Sequence, residues 1–274
     1  LLDSILSQRG LAVGVIGTVN YRYHDGQGQI VELPAPFTTP EPFLLQALLR
    51  QMADAGVTHV IMEVSSHALV QRRLGDLLFD VVAFTNLTRD HLDYHQDLDD
   101  YFAAKTLLFR DHLKPGGQAV ITRSAAYDPE EEKRVLQLLA LCGAQGIQVW
   151  QCGRKNESDI YPLHIKPGLN GTIMTLHLPA QEVQITSPLV GDFNMENLQT
   201  VLAIGLALAI EPEALISLMA HAVGAPGRLQ RIMPAPQETH FRPAVFVSFS
   251  HTPYPRAKVP VTLSRPPHRN LILA

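Results

Sequence analysis

Three residues in the first half of the chain have types and spacing that suit catalysis. Glu63 follows an apolar segment, His91 lies in the polar run after a second apolar segment, and Lys105 lies in the helix-like segment after that. In open α/β sheets, ligands bind where strands end, so a carboxylate, an imidazole and a lysine from successive elements can converge there. The spacing therefore allows these three residues to share one site.

Each of the three also has a simpler structural interpretation. Charged residues such as Glu63 are common at solvated strand ends, and imidazole is an unusual ligand for magnesium, so His91 could cap or pack a loop. Lys105 lies at helical spacing from apolar residues, where a lysine commonly extends its amine to the rim of the core. From spacing alone these alternatives stay open. For His67 and His95 we expect hydrogen-bonded loop side chains.

The elements that must position these residues alternate between strand-like and helix-like patterns. Apolar segments predict strands over residues 11–16, 57–62, 79–84, 118–121 and 147–151. Amphipathic segments predict helices over residues 41–55, 99–112, 129–141, 194–209 and 212–222, after the end of a helix over residues 1–8. Residues 20–33 alternate around Asp25 and Gly26, which predicts a hairpin. This order predicts an α/β fold with a mainly parallel sheet flanked by helices.

The last part of the chain departs from this alternation. Residues 158–187 contain short alternating segments broken by glycine and proline, which predicts a small antiparallel β flap. From residue 234 onward prolines recur so closely that only residues 245–247 are predicted to form a strand. We expect residues 1–233 to form one domain, and residues 234–274 to be a linker with a truncated or divergent start of a further domain.

Composition excludes several classes of protein. Of 274 residues, 46% are apolar, which is enough for a substantial core, and the net charge of −4 argues against a nucleic-acid-binding surface. The longest apolar run, residues 201–210, is too short to cross a bilayer, and no signal peptide is visible. The two cysteines lack metal-ligand spacing, which indicates reduced cytoplasmic thiols. Because the chain begins with Leu1 inside an amphipathic pattern, we expect a fragment of a longer protein.

Three sequence strings carry a resemblance to a known family. They are MEVSSHAL at residues 62–69, FTNLTRDHLDYH at residues 84–95 and YFAAKTLLF at residues 101–109. Their order and spacing resemble the Mur ligases, and the resemblance runs from about residue 1 to about residue 253. It implies the P-loop-type central, ATP-binding domain of that family, in particular of the members that add diaminopimelate or lysine.

The resemblance implies specific roles for the three residues at the strand ends. Glu63 and His91 match the family's magnesium ligands near the ATP phosphates, and a carboxylate is the hard oxygen ligand that this ion prefers. Lys105 matches a lysine that the family carbamylates: the neutral amine adds carbon dioxide, and the resulting anion binds the metal. Burial favours the neutral amine that this addition needs. Lys105 and His91 are therefore the candidate catalytic residues.

The resemblance also implies residues for substrate and nucleotide binding. An arginine suits the carboxylate of the muramoyl-dipeptide, because the guanidinium fork pairs with both oxygens. The candidate substrate residues are Thr38, Thr39, Ser66, Gln71 and Arg73. The candidate residues near ATP are Asn194, Asn197 and Arg228. Without the resemblance, the threonines and asparagines could be ordinary helix caps.

Parts of the family pattern are replaced or missing in this sequence. The Gly-Lys-Thr loop that cradles phosphates is expected just before Leu1 and is not in the sequence. Phe37 stands where the family usually has asparagine, and Thr122 begins a stretch that replaces an Asn-Ala-Asp-Asp string. Residues 248–250 lack the acidic residue that the family places near ATP.

The implied function is an ATP-dependent amide ligase of peptidoglycan precursor synthesis, acting as a cytoplasmic monomer. ATP would phosphorylate the D-glutamate carboxylate of UDP-MurNAc-L-Ala-D-Glu, and the amine of diaminopimelate or lysine would attack the acyl phosphate. Mg²⁺ would neutralise charge as the phosphoryl group moves. Two alternatives remain open: a ligase like folylpolyglutamate synthase, and a non-catalytic remnant that only binds a ligand or partner. No nucleic-acid or membrane partner is expected.

Overall fold

Helices and strands alternate along the chain, as the sequence predicts. The computed structural model describes residues 1–25, 27–87, 94–124, 127–153, 156–224, 226, 229–232 and 245–247. The helices of these residues are α1 (Leu2–Gln8), α2 (Pro42–Asp54), α3 (Ser66–Val70), α4 (Leu98–Asp111), α5 (Pro129–Ala144), α6 (Asp192–Ala207) and α7 (Pro212–Met219). The strands are β1 (Val13–Ile16), β2 (Tyr21–His24), β3 (Ile30–Leu33), β4 (His59–Met62), β5 (Phe79–Phe84), β6 (Leu113–Arg123), β7 (Gln148–Gly153), β8 (Tyr161–Gly168), β9 (Gly171–His177), β10 (Glu182–Ser187), β11 (Gln230–Ile232) and β12 (Val245–Val247).

Strands β1 to β10 form two sheets of the α/β core and a separate flap, and β11 pairs with β12 in a small fourth sheet. In the first sheet, of order β3-β2-β1-β4, β1 and β4 are parallel and the hairpin β2-β3 adds antiparallel strands. In the second sheet, β5, β6 and β7 are all parallel. The sheet β10-β9-β8 is antiparallel throughout. The predicted α/β fold, hairpin and flap are thereby confirmed, with the parallel strands divided between two sheets.

Several boundaries differ from the prediction for physical reasons. β6 begins at Leu113 rather than at residue 118, because its Pro-Gly-Gly stretch, which is typical of a turn, continues as strand beside a register shift in β5. The five residues of α3 are too few to show helical periodicity, so the sequence did not predict this helix. β12 forms as predicted and pairs with β11. The rest of the proline-rich tail lies outside the described residues.

The sheets are covered by helices whose buried faces have helical spacing. α2 buries Leu45, Leu48 and Met52 against the first sheet. Phe79 of β5 packs both against this cluster and against the cluster that α4 and α5 form on the second sheet. The two cores are therefore continuous at Phe79. Nowhere in the described ranges is a helix long and apolar enough to span a membrane.

Two consecutive hydrogen bonds through the side chain of Gln118 connect α6 to the second sheet. The indole N–H of Trp150, in β7, donates to Gln118 Oε1 of β6 at 2.8 Å. The amide nitrogen of Gln118 donates in turn to the carbonyl oxygen of Ala207, the last residue of α6, at 3.1 Å. Both ends of the Gln118 side chain are therefore fixed between two strands and a helix.

Candidate active site at the strand ends

Glu63 directly follows β4, and its carboxylate accepts hydrogen bonds from Thr18, which follows the neighbouring strand β1. Ile16 pairs with Met62 in the parallel ladder between β1 and β4, so both strands end at the same edge of the sheet. Thr18 donates twice to Glu63 Oε2, from its backbone N–H at 2.9 Å and from its hydroxyl at 2.5 Å. Glu63 is exposed to solvent at this edge. A carboxylate thus stands at the strand end, where the sequence predicts it.

The two threonines of the loop before α2 have different environments. The hydroxyl of Thr38, which is half-buried, lies 3.0 Å from the hydroxyl of Thr18. Thr39 is buried, and its hydroxyl donates to the carbonyl oxygen of Glu63 and accepts from the N–H of Ser65, both at 2.9 Å. The N-cap of α2 is Glu41, so neither threonine is the helix cap that the sequence left open.

Arg73 already makes contacts within the chain through all three of its guanidinium nitrogens. Nε donates to Gln71 Oε1 at 2.9 Å, Nη1 to the carbonyl oxygen of Thr39 at 3.0 Å, and Nη2 pairs with Glu41 at 3.0 Å. Its guanidinium carbon lies 5.0 Å from the centre of the Phe37 ring. These contacts account for three of its five N–H donors, and the side chain is 11% exposed. Phe37, the residue that departs from the family pattern, thus stacks on the predicted substrate arginine.

Ser66 and His95 form a buried hydrogen-bonded pair that continues to Asp100. Ser66 Oγ lies 2.8 Å from His95 Nε2, and His95 Nδ1 lies 3.1 Å from Asp100 Oδ2. The order serine, histidine, aspartate resembles a hydrolase triad, but Ser66 is only 2% exposed, so a substrate carbonyl cannot reach its hydroxyl. The predicted hydrogen-bonded loop role of His95 is confirmed. His67 lies instead in α3, where its ring packs on Tyr94.

Lys105 projects from α4 over an aromatic platform. Its Nζ lies 4.8 Å from the centre of the Tyr101 ring, and that ring packs against His95. α4 begins where the Asp97 side chain accepts the N–H groups of Asp99 and Asp100, which fixes the helix end that carries Tyr101. His91, the residue predicted to share its metal, lies outside the described residues.

Two of the three residues predicted near ATP, Asn194 and Asn197, are described, and they lie in α6. Asn194 is buried in the first turn of α6 and donates to the carbonyl oxygen of Val190 at 2.7 Å. Asn197 is exposed one turn further on. The helix N-cap is Gly191 at a φ of 96°, so the alternative that these asparagines cap the helix is wrong. Arg228 lies outside the described residues.

Tyr127 joins the ends of β5 and β6. Its hydroxyl donates to the carbonyl oxygens of Thr85 and Thr122 at 3.2 and 3.3 Å. Burial, with Glu196 as the next cause, raises the pKa of Tyr127 well above its ordinary value. The phenol therefore stays protonated and keeps donating at any pH the protein would meet.

The structure joins most predicted substrate residues to Glu63 through one network. Thr38, Thr39, Gln71 and Arg73 are connected to it by the hydrogen bonds given above, and Thr18 is a member that the sequence analysis missed. The Gly-Thr pair after β1 resembles an ordinary loop, and only the parallel pairing of β1 with β4 brings it to Glu63. Among the described residues no three His, Cys, Asp or Glu side chains cluster as a metal site. With His91 outside that set, the predicted metal ligands stay a prediction.

The donor chemistry around Glu63 nevertheless fits magnesium. One carboxylate oxygen is held by Thr18, and for Oε1 the described residues supply no hydrogen bond. An exposed, oriented carboxylate oxygen at a strand end is a hard ligand of the kind that Mg²⁺ takes from proteins. The fold and this site define an α/β ligand-binding domain whose candidate site lies at the carboxyl ends of parallel strands.

Comparison with known proteins identifies the family. Residues 1–205 match the Mur ligase middle domain, and the chain belongs to the Mur ligase family. A relative in Geobacter metallireducens, UDP-N-acetylmuramoyl-L-alanyl-D-glutamate–2,6-diaminopimelate ligase, is 36% identical over 257 residues, which cover 92% of this chain and 46% of the relative. The chain thus spans about half the length of the curated relatives it matches.

Solved structures agree with this assignment. A structure of a UDP-N-acetylmuramoyl-L-alanyl-D-glutamate–2,6-diaminopimelate ligase matches with a TM-score of 0.75 and 27% identity, over 97% of this chain and 50% of that one. Folylpolyglutamate synthase from Mycobacterium tuberculosis, complexed with ADP, matches with a TM-score of 0.67 and 20% identity, over 96% of this chain and 62% of that one. At that identity the second likeness concerns the fold alone.

Proposed function

We propose that this chain is the central part of an ATP-dependent amide ligase that adds diaminopimelate to UDP-MurNAc-L-Ala-D-Glu. The observation that carries the proposal is the hydrogen-bond path from Thr38 through Thr18 to Glu63. Only the hydroxyl group of Thr18 lies between Thr38, a predicted substrate residue, and Glu63, a predicted magnesium ligand. The names of the relatives favour diaminopimelate over lysine as the amino acid added.

In this proposal Glu63, His91 and carbamylated Lys105 hold Mg²⁺. When bound, the ion neutralises charge while the γ-phosphoryl group of ATP passes to the D-glutamate carboxylate. The amine of diaminopimelate then attacks the acyl phosphate, and phosphate leaves. Asn194, Asn197 and Arg228 bind the nucleotide. The enzyme works in the cytoplasm as a monomer, with ATP, the UDP-linked dipeptide and the amino acid as its ligands.

The predicted substrate residues divide into two groups according to their burial. Thr39 and Ser66 are almost fully buried, so their role here is to hold the loop before α2 and the start of α3. Thr38, Gln71 and Arg73 are the candidates for direct contact with the muramoyl-dipeptide. Arg73 would use its two remaining donors for the substrate carboxylate, while Glu41 and Thr39 hold its orientation.

The test is a chimera in which the matched part of this chain, 92% of its length, replaces the corresponding segment of the Geobacter metallireducens relative. We expect Mg²⁺- and ATP-dependent addition of diaminopimelate to UDP-MurNAc-L-Ala-D-Glu, and its loss in the Glu63→Gln variant. A folded chimera that binds the UDP-linked dipeptide and releases no phosphate from ATP would favour the non-catalytic remnant instead.

A further inference from the structure

Thr18 connects Glu63, a predicted metal ligand, with Thr38, a predicted substrate residue. Its hydroxyl contacts Glu63 Oε2 at 2.5 Å and the Thr38 hydroxyl at 3.0 Å, and its own N–H also reaches Glu63 Oε2 at 2.9 Å. Thr18 is exposed, so these contacts, rather than packing in the core, are what its side chain contributes.

The direction of these hydrogen bonds follows from proton counting. An ionised carboxylate only accepts, so the single hydroxyl proton of Thr18 is donated to Glu63. The contact between Thr18 and Thr38 then needs the Thr38 proton, with Thr18 as acceptor. Because the Thr38 hydroxyl proton is used in this bond, only the lone pairs of the Thr38 oxygen are available to a ligand. It can take an N–H or O–H from a ligand, and it cannot donate to a ligand carboxylate while the path is intact.

The two hydrogen bonds from Thr18 also give the two carboxylate oxygens of Glu63 different environments. Oε2 accepts both of them, whereas no hydrogen bond from the described residues reaches Oε1. Gly17 allows this close approach, because a Cβ at that position would lie 2.9 Å from the Glu63 carboxyl carbon. The carboxylate is therefore held in one rotation, with one oxygen committed and the other available.

We propose that Thr18 is a positioning residue that orients Glu63 so that Oε1 binds the metal as a single-oxygen ligand, and that it fixes Thr38 as a hydrogen-bond acceptor for substrate. This inference rests on the proposed function, since it takes Glu63 to be a metal ligand. Hydrogen-bonding partners of metal ligands set the orientation of those ligands, and their loss typically weakens metal affinity about 10- to 100-fold.

The test measures Mn²⁺ binding to the 274-residue chain in bicarbonate buffer, through the electron paramagnetic resonance signal of the free ion. The variants are Thr18→Val, which removes only the hydroxyl, Thr18→Ser, which keeps it, and Glu63→Gln. Thr58→Val is the matched control: Thr58 is also exposed and its hydroxyl is also hydrogen-bonded, but it lies at the opposite end of β4. Thermal unfolding of each variant confirms that it is folded.

We expect Thr18→Val to raise the Kd for Mn²⁺ about tenfold or more, with Thr18→Ser and Thr58→Val close to the original chain. If Glu63→Gln weakens binding and Thr18→Val does not, the positioning role is wrong and the metal assignment stands. If Glu63→Gln leaves the Kd unchanged, or the original chain binds no Mn²⁺, both the metal assignment and the role of Thr18 are wrong. Equal losses in Thr18→Val and Thr18→Ser would also overturn the proposal, because the serine keeps the hydroxyl.

Discussion

Ser66 Oγ and His95 Nε2 lie 2.8 Å apart although 29 positions separate the two residues in the sequence. The bond joins the start of α3 to the segment that leads into α4, and Asp100 holds the other ring nitrogen. Both members of the pair are at most 3% exposed. A buried polar group that loses its partner costs free energy, so this pair fixes how α3 and α4 pack.

Replacement of His95 should therefore destabilise the fold. In His95→Ala the hydroxyl of Ser66 is left buried without this partner, and we expect the free energy of unfolding to fall by about 1–3 kcal/mol. Urea denaturation of the 274-residue chain measures the change. Ser66→Ala is the companion variant, and a double-mutant cycle should show that the two losses are not additive. Additive losses would mean that the bond contributes little.

Lys105→Ala should abolish ligation by the chimera while Lys133→Ala leaves it unchanged. Lys133 is an exposed lysine of α5 whose ion pair with Glu130 has an N–O distance of 3.6 Å. Loss of a carbamate ligand removes several kcal/mol of charge stabilisation, which predicts a decrease in kcat of about 100-fold or more.

Two readouts distinguish a carbamate from a merely structural lysine at this position. Carbon-13 NMR with labelled bicarbonate should give a carbamate signal that Lys105→Ala lacks, and formate should restore part of the activity of that variant. Normal activity of Lys105→Ala would refute the metal-site assignment.

Arg73→Ala should raise the KM for the muramoyl-dipeptide about tenfold or more and leave the KM for ATP nearly unchanged, because charged hydrogen bonds to the substrate are lost. The variant also loses the contacts to Thr39 and Gln71, so its unfolding free energy should fall as well.

Glu41→Gln separates these two effects of Arg73. It weakens a half-exposed ion pair worth about 0–1 kcal/mol and leaves the guanidinium in place, so the KM for the dipeptide should stay the same or fall. If the KM for the dipeptide rose as much in Glu41→Gln as in Arg73→Ala, Arg73 would act by holding the loop rather than by binding substrate.

Gly17→Ala should weaken metal binding with little effect on stability. The added Cβ would meet the end of the Glu63 side chain, which can swing away and leave Thr18. Gly143→Ala is the matched control, because a Cβ there meets nothing within 4 Å and the residue lies in α5, where alanine should stabilise by about 0.5–1 kcal/mol. Mn²⁺ affinity and thermal melting check both. A strongly destabilised Gly17→Ala that retains normal affinity would contradict the expectation.

The two cysteines should make the protein less stable in alkali. Burial raises the pKa of the Cys142 and Cys152 thiols to about 11, whereas in the unfolded chain they titrate near the ordinary value of about 8.5. Between these values the unfolded state loses protons that the native state keeps, so stability falls as pH rises through that window. The melting temperature should drop over that range, and less steeply in Cys142→Ala/Cys152→Ala. Equal slopes would contradict the assignment.

The sequence predicts the order of elements well and the contacts at the site only in part. β5 has the predicted bounds because a short segment rich in valine and phenylalanine is a local signal. The role of Thr18 depends on the pairing of β1 with β4, which no local pattern encodes. The burial of Ser66 likewise depends on His95, a distant partner. Residue types and spacing therefore indicate which residues gather at the strand ends, whereas their hydrogen-bond partners follow from tertiary packing.

The hydrogen bonds of Gln118 give the protein an intrinsic fluorescent probe. Trp150 is the only tryptophan in the sequence, and Gln118 joins its indole to the last residue of α6, the helix that carries Asn194 and Asn197 at its other end. Displacement of α6 from the sheet would expose the indole to water and shift its emission to longer wavelength. Emission spectra recorded during a nucleotide titration would therefore follow the docking of this helix without any attached label.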